Sequence, residues 1–171
     1  MNKNKLFKLA LSGIYAAFAT ITFMLENLFP PIILPGARMG LSNVFILLSA
    51  TTLGGIYGYA TLIVKVVLGS LFAGNISAVM YSLPAGIIAL SIELLIIFYA
   101  KKTSLVCASV CGAVINVTIQ NAVFCLVTDA SEYLVFLPYL SLVGVFSGLI
   151  VGLSVYLILK KIPTKLFVDK E

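Results

Sequence analysis

The sequence predicts an all-α membrane protein of six transmembrane helices, residues 1–171 forming a single integral domain with both termini in the cytoplasm. Three observations predict it. The chain is 61% hydrophobic with a mean hydropathy of +1.16, and only 10% of its residues are charged, against about 25% in soluble domains. Apolar runs of spanning length follow one another, with short breaks and no separable soluble region. The lysines gather at the ends of those runs. That clustering is the signature of membrane topology, so the formal charge of +5 is no phosphate-binding stripe and no nucleic-acid partner is expected.

Span one runs from Phe7 to Leu28 and is ended by Pro30-Pro31. A cleaved signal peptide is the alternative for this start, given Ala17-Phe18-Ala19, but the apolar run continues past that triplet to Leu25, which favours an uncleaved span. After a connection holding Pro35-Gly36, Arg38 and Gly40, apolar sequence runs from Leu41 to Ala73. This piece is too long for one helix of ~20 residues and short for two. Charge decides. With Lys3, Lys5 and Lys8 inside, a turn near Gly54-Gly55 places Lys101, Lys102 and the C-terminal lysines inside as well, and Asp129 and Glu132 outside. Two short spans follow. Span four runs from Ala78 to Ala100, span five from Ser104 to Val127, and span six from Leu134 to Leu159.

Two charges fall inside spans. Lys65 lies in Leu62-Ile63-Val64-Lys65-Val66-Val67-Leu68 and Glu93 in Ala89-Leu90-Ser91-Ile92-Glu93-Leu94-Leu95. An ionised group at bilayer depth is costly, so it faces a protein interior or a cavity and usually serves a function. The two either pair with each other or line a ligand site. In span five, Asn116 and Gln120 share a helix face, with Asn121 adjacent and Phe124 continuing the stripe. Amides do not face lipid cheaply, so this face points inward, to bond other helices or to wall a pocket. Span one carries small residues at four-residue spacing: Ser12 with Ala16, Gly13 with Ala17, Ala16 with Thr20. Such a stripe admits a close helix, either within the bundle or from a partner protein. Cys107, Cys111 and Cys125 occur without any histidine; they read as small packing residues, and no metal site or cofactor is expected.

The segment Pro35-Gly36-Ala37-Arg38-Met39-Gly40-Leu41-Ser42-Asn43 resembles the PG-x-[KR]-x-GL-[AS]-N stretch of a bacterial membrane family known as Gx transporters or heptaprenyl diphosphate synthase component I. Lys65-Val66-Val67-Leu68-Gly69-Ser70-Leu71-Phe72-Ala73-Gly74-Asn75 and Tyr81-Ser82-Leu83-Pro84-Ala85-Gly86 resemble it too, in order and at similar spacing. Members are similar to the substrate-binding S components of energy-coupling factor (ECF) vitamin importers. The resemblance implies an S-component-like bundle in the bacterial cell membrane, an ECF transmembrane coupling protein and two cytoplasmic ATPases as partners, and a lid between the first two spans. It also implies a docking motif in span one, carried here by Ser12, Gly13, Ala16, Ala17 and Thr20. The chain departs from the family's His-Asn pair in span five, where Asn116 and Val117 stand, with Gln120 retained.

Catalysis is not expected. Polyprenyl synthases hold magnesium and diphosphate with clustered aspartates, whereas this chain has only Asp129 and Asp169, far apart, and no Walker motif. The expected function is capture of a small, partly apolar, anionic solute: a vitamin, a quinone precursor or an isoprenoid-like compound. Arg38 and Lys65 would balance its charge. Asn75, Tyr81, Asn116, Gln120 and Asn121 would orient it, and Phe72, Phe124 and Tyr139 would contact its apolar part. The alternative is a non-catalytic accessory subunit of a polyprenyl diphosphate synthase.

Overall fold

The computed structural model describes residues 3–28, 40–100 and 103–161. Among them all regular structure is helical: α1 (Lys3–Leu28), α2 (Asn43–Leu53), α3 (Gly55–Phe72), α4 (Ala78–Tyr99), α5 (Leu105–Thr128), a short 3-10 helix (Ser131–Phe136) and α6 (Leu137–Lys161). Five helices are long and apolar enough to cross a membrane, and α2 is shorter. Large apolar side chains such as Phe18, Leu71 and Phe146 stand exposed on the outside of the bundle. In a helical protein whose backbone is satisfied internally, that surface is the one lipid covers. The chain is a multi-pass membrane protein.

Helix ends follow local chemistry. Gly74, at φ +69°, stops α3: its N–H donates to the Leu71 carbonyl at 3.1 Å and the Asn75 N–H to that of Ser70 at 3.0 Å, a Schellman closure that favours glycine. Asp129 does the same work after α5 at φ +53°, where the Ala130 N–H reaches the Cys125 carbonyl. Ser104 starts α5 by accepting from the Cys107 N–H. The sixth span begins later than hydropathy suggests. Leu134 belongs to the 3-10 helix and α6 starts at Leu137, with Pro138 in its first turn, where a missing N–H costs nothing.

The turn expected at Gly54-Gly55 is present and makes a helical hairpin. Gly54 has φ +114°, which a side chain would resist. Partners pair about this turn: Gly58 lies against Ala50, Thr61 donates to Ser49 at 3.0 Å, and Lys65 meets Asn43. However, α2 is 11 residues long, about 16 Å at 1.5 Å per residue. It therefore crosses only about half of a ~30 Å hydrocarbon core, and the expected second span is a half-span.

Packing contacts link the helices into a closed ring in the order α1, α3, α4, α5, α6, α2, with α2 also against α3. Small residues set the distances. On α6, Gly144, Gly148 and Gly152 lie against the backbones of Val114, Val110 and Val106 of α5, an antiparallel small-xxx-small seam. Phe23 of α1 packs on Gly69 of α3, and Leu62 of α3 on Gly86 of α4. Because α2 fills only one half of the ring, the described helices leave the other half open inside.

Two glycines, Gly58 on the α2–α3 hairpin and Gly13 on α1, test this packing. Gly58→Val should destabilise the protein by about 1–3 kcal/mol, because its Cβ would fall 2.5 Å from the Ala50 Cβ. Gly13→Ala, which meets nothing within 4 Å, should be neutral or slightly stabilising. Thermal unfolding in detergent reads both.

Candidate functional site

The open half of the ring is a chamber of about 80 Å³ to which all six helices contribute, several times the ~10–15 Å³ that one water requires. It lies toward the end of the bundle that carries the α3–α4 turn and the 3-10 helix. Lys65 sits seven residues before the end of α3, Asn116 twelve before the end of α5, and Ser147 ten after the start of α6. At 1.5 Å per residue these are depths of about 10–18 Å.

The floor is made where α2 begins in mid-bundle. A helix start leaves N–H groups without partners, and at this depth water does not satisfy them freely. Asn43 N–H bonds the Gly40 carbonyl at 2.9 Å and Val44 N–H that of Leu41 at 3.1 Å. The Ser42 N–H donates to Glu26 Oε1 at 3.0 Å. Glu26 thus reaches from α1 to cap α2, placing an acid at the positive end of a helix dipole. Gly40 sits at φ +68°, where a side chain would be strained, and a Cβ there would lie a tight 3.2 Å from Asn43 Nδ2 and Ser147 Oγ.

One wall carries the ammonium. Lys65 is buried, donates to Asn43 Oδ1 at 2.9 Å and lies 5.3 Å from the centre of the Phe23 ring, within cation–π range. The Lys65–Glu93 pair considered from sequence does not form; the acid on the lysine's side of the chamber is Glu26. The described lining thus holds one cation and one acid. The opposite wall is the predicted amide stripe. Gln120 Nε2 donates to Ser82 Oγ at 3.0 Å, and Asn121 Nδ2 to the Tyr133 carbonyl at 3.2 Å. Asn116 makes no such bond among the described residues and faces the chamber. The Ser42 hydroxyl is also buried without a hydrogen-bond partner. At the mouth, Phe124 meets Tyr81 and Tyr133 edge to face, at 5.6 and 5.5 Å between ring centres.

Of the residues expected to bind a solute, Lys65, Tyr81, Asn116, Gln120, Asn121 and Phe124 converge on this chamber. Phe72 and Tyr139 do not line it. Phe72 is 62% exposed on the outer side of α3, and Tyr139 stands partly exposed near the start of α6. Asn75 is exposed in the α3–α4 turn and accepts from Ser77 Oγ at 2.7 Å. Arg38 lies outside the described residues. Sequence reading did not assign Glu26, Asn43, Ser147 or Tyr133 to the site. Glu26 carried a signal, an acid inside the last turns of an apolar helix, as did the Gly144, Gly148, Gly152 repeat. The 3-10 helix that brings Tyr133 inward carried none.

The small residues of α1 divide between two faces. Ser12, Ala16 and Thr20 are buried within the bundle, and Thr20 donates to the Ala16 carbonyl, so they present no face to a partner. Gly13 and Ala17 are exposed.

The ring and its polar interior define an integral membrane protein with an internal chamber. Residues 15–158 match the family model described as heptaprenyl diphosphate synthase component I, and the chain belongs to that family. No curated protein and no solved structure matches the chain significantly.

The Lys65–Asn43 bond makes a testable claim. Asn43→Ala should cost about 1–3 kcal/mol by withdrawing an acceptor from a buried ammonium. With Lys65→Met beside it the two losses should not add, giving a coupling of about 0.5–3 kcal/mol in a double-mutant cycle of thermal unfolding.

Proposed function

We propose that this protein is the solute-binding membrane subunit of an ECF-type importer, working with a transmembrane coupling protein and two cytoplasmic ATPases. The observation that carries this reading is the chamber, enclosed by six helices, open toward one end and lined by polar groups not all used in holding the fold. Asn116 offers two donors and an acceptor, and Ser42 a hydroxyl. Structural polar groups in a membrane usually find partners, so uncommitted ones beside a cavity favour a guest.

Orientation follows from charge. Lys5 and Lys8 at the start of α1 and Lys160 and Lys161 at the end of α6 lie at the end opposite the chamber. The positive-inside rule puts that end in the cytoplasm and the chamber toward the external medium. The solute is small, with an anionic end toward Lys65, polar edges toward Asn116 and Gln120, and an apolar part against Phe124 and Tyr81. Arg38, in the sequence between α1 and α2, would add a second cation. Gly13 and Ala17, exposed on α1, form the face for the coupling protein.

The family description supports a second reading, an accessory subunit of a polyprenyl synthase. A chain of seven isoprene units needs a long apolar groove, and the amide-walled chamber suits a smaller guest better.

Mass spectrometry of the small molecule that co-purifies tests the proposal. A vitamin-sized polar solute supports it, whereas a prenyl diphosphate together with a synthase and no ATPases points to the second reading. Lys65→Met should weaken solute uptake tenfold or more (~1.4 kcal/mol) while the protein still inserts; Arg38→Ala should also weaken it. Uptake unchanged in both variants rejects the anion site. Gly13→Leu with Ala17→Leu should abolish recovery of the coupling protein and leave solute binding intact.

A further inference from the structure

Beneath the chamber, α2, α3, α4 and α5 line an adjoining cavity of about 30 Å³ that shares Asn43, Leu62, Gly86, Ala113 and Asn116 with it. Its distinctive wall is Glu93, fifteen residues into α4 and so about 22 Å from the chamber's mouth. The carboxylate lies so close to α5 that a methyl group on Gly112 would collide with it. Among the described residues no side chain hydrogen-bonds or pairs with it. The rest of the lining, including Ile46, Leu62 and Leu90, holds no lysine or arginine. Lys65 is held by Asn43 at the boundary between the two cavities.

A carboxyl group at this depth stays neutral while nothing positive faces it, and ionises when a cationic guest pairs with it. The cavity's size and donor set restrict what that guest is. It admits about two water-sized groups at ~10–15 Å³ each. Among its side-chain acceptors are the two oxygens of Glu93 and the Asn116 carbonyl, enough to meet the three N–H donors of a primary ammonium. Hard metal cations take six or more oxygens, more than this wall provides. The apolar remainder suits a short carbon chain leading to the nitrogen.

We propose that this annex binds a protonated primary amino group, with Glu93 as its counter-ion and Asn116 as its neutral acceptor. The amine is carried either by the solute of the main chamber, which rests on the solute-binding reading above, or by a separate small amine. In the first case the solute carries charges of both signs, its anionic end toward Lys65 and its amino end in the annex.

Purified protein in nanodiscs is treated with dicyclohexylcarbodiimide, and modification of Glu93 is followed by peptide mass spectrometry. Methylammonium at about ten times its dissociation constant should slow that modification about tenfold, and sodium should not. Asn116→Leu should lose most of this protection. The same amine should raise the melting temperature of the wild type but not of Glu93→Gln. No stabilisation of the wild type, an equal shift in Glu93→Gln, or equal protection by sodium overturns the proposal. An ω-amino acid acting at lower concentration than methylammonium assigns the amine to the chamber's solute; equal potency assigns it to a separate amine. Neither ATPases nor the natural solute enter these measurements, so their outcome stands apart from the fate of the transport reading.

Discussion

The fold depends on starting a helix in the middle of a membrane. Backbone N–H groups at that depth must be satisfied from within the protein. Here the first turn of α2 is closed by Gly40 and Leu41 carbonyls and by the Glu26 carboxylate. Were α2 longer, its side chains would fill the ring and no chamber would exist. Were it uncapped, the half-span would expose donors that nothing answers. Glu26 therefore shapes the cavity by stabilising the helix that stops short of it. Its negative charge also faces the same space as Lys65, so the chamber can hold a buried ammonium without a large net field.

Close approach is the second constraint. Helix association in lipid lacks the hydrophobic driving force available in water and relies on packing. The α5–α6 seam achieves this through three glycines in register, and α3 meets α1 and α4 through Gly69 and Gly86. These contacts draw five long helices tightly together around one short one. The polar side chains that remain between them are drawn into a small space, where amides on α5 reach Ser82 of α4 and the Tyr133 backbone.

Much of this was legible in the residues. Hydropathy found the long helices. Lysine placement located the hairpin turn, because only a reversal at Gly54-Gly55 brings every basic cluster to one side. The amide stripe on α5 pointed inward, as the cost of burying an amide in lipid requires. What escaped was geometry that depends on partners distant in sequence. Asn43 and Lys65 meet only because the hairpin is symmetric about Gly54. Nothing local distinguishes the lysine's true acceptor from Glu93, which hydropathy made equally plausible. Phe72 and Asn75 sit close to Lys65 in sequence, yet α3 turns Phe72 outward and the Schellman turn carries Asn75 beyond the chamber. The alternation between inward Ser12, Ala16 and Thr20 and outward Gly13 and Ala17 is likewise set by which face α3 covers.

The distribution of satisfied and unsatisfied polar groups separates scaffold from site. Gln120 and Asn121 spend donors on Ser82 and Tyr133, which ties α5 to α4 and to the 3-10 helix and fixes the wall. Interhelical bonds of this kind contribute ~0.6 kcal/mol each, enough to set register but not to account for placing so many amides in a membrane. Asn116 lies on the same face and holds nothing together. Its amide opens on the chamber above and on Glu93 below. A hydrophobic residue there would pack as well and avoid the desolvation of an amide. The fold therefore gains little from Asn116, and a guest in the space between Lys65 and Glu93, as proposed above, would give its amide a partner.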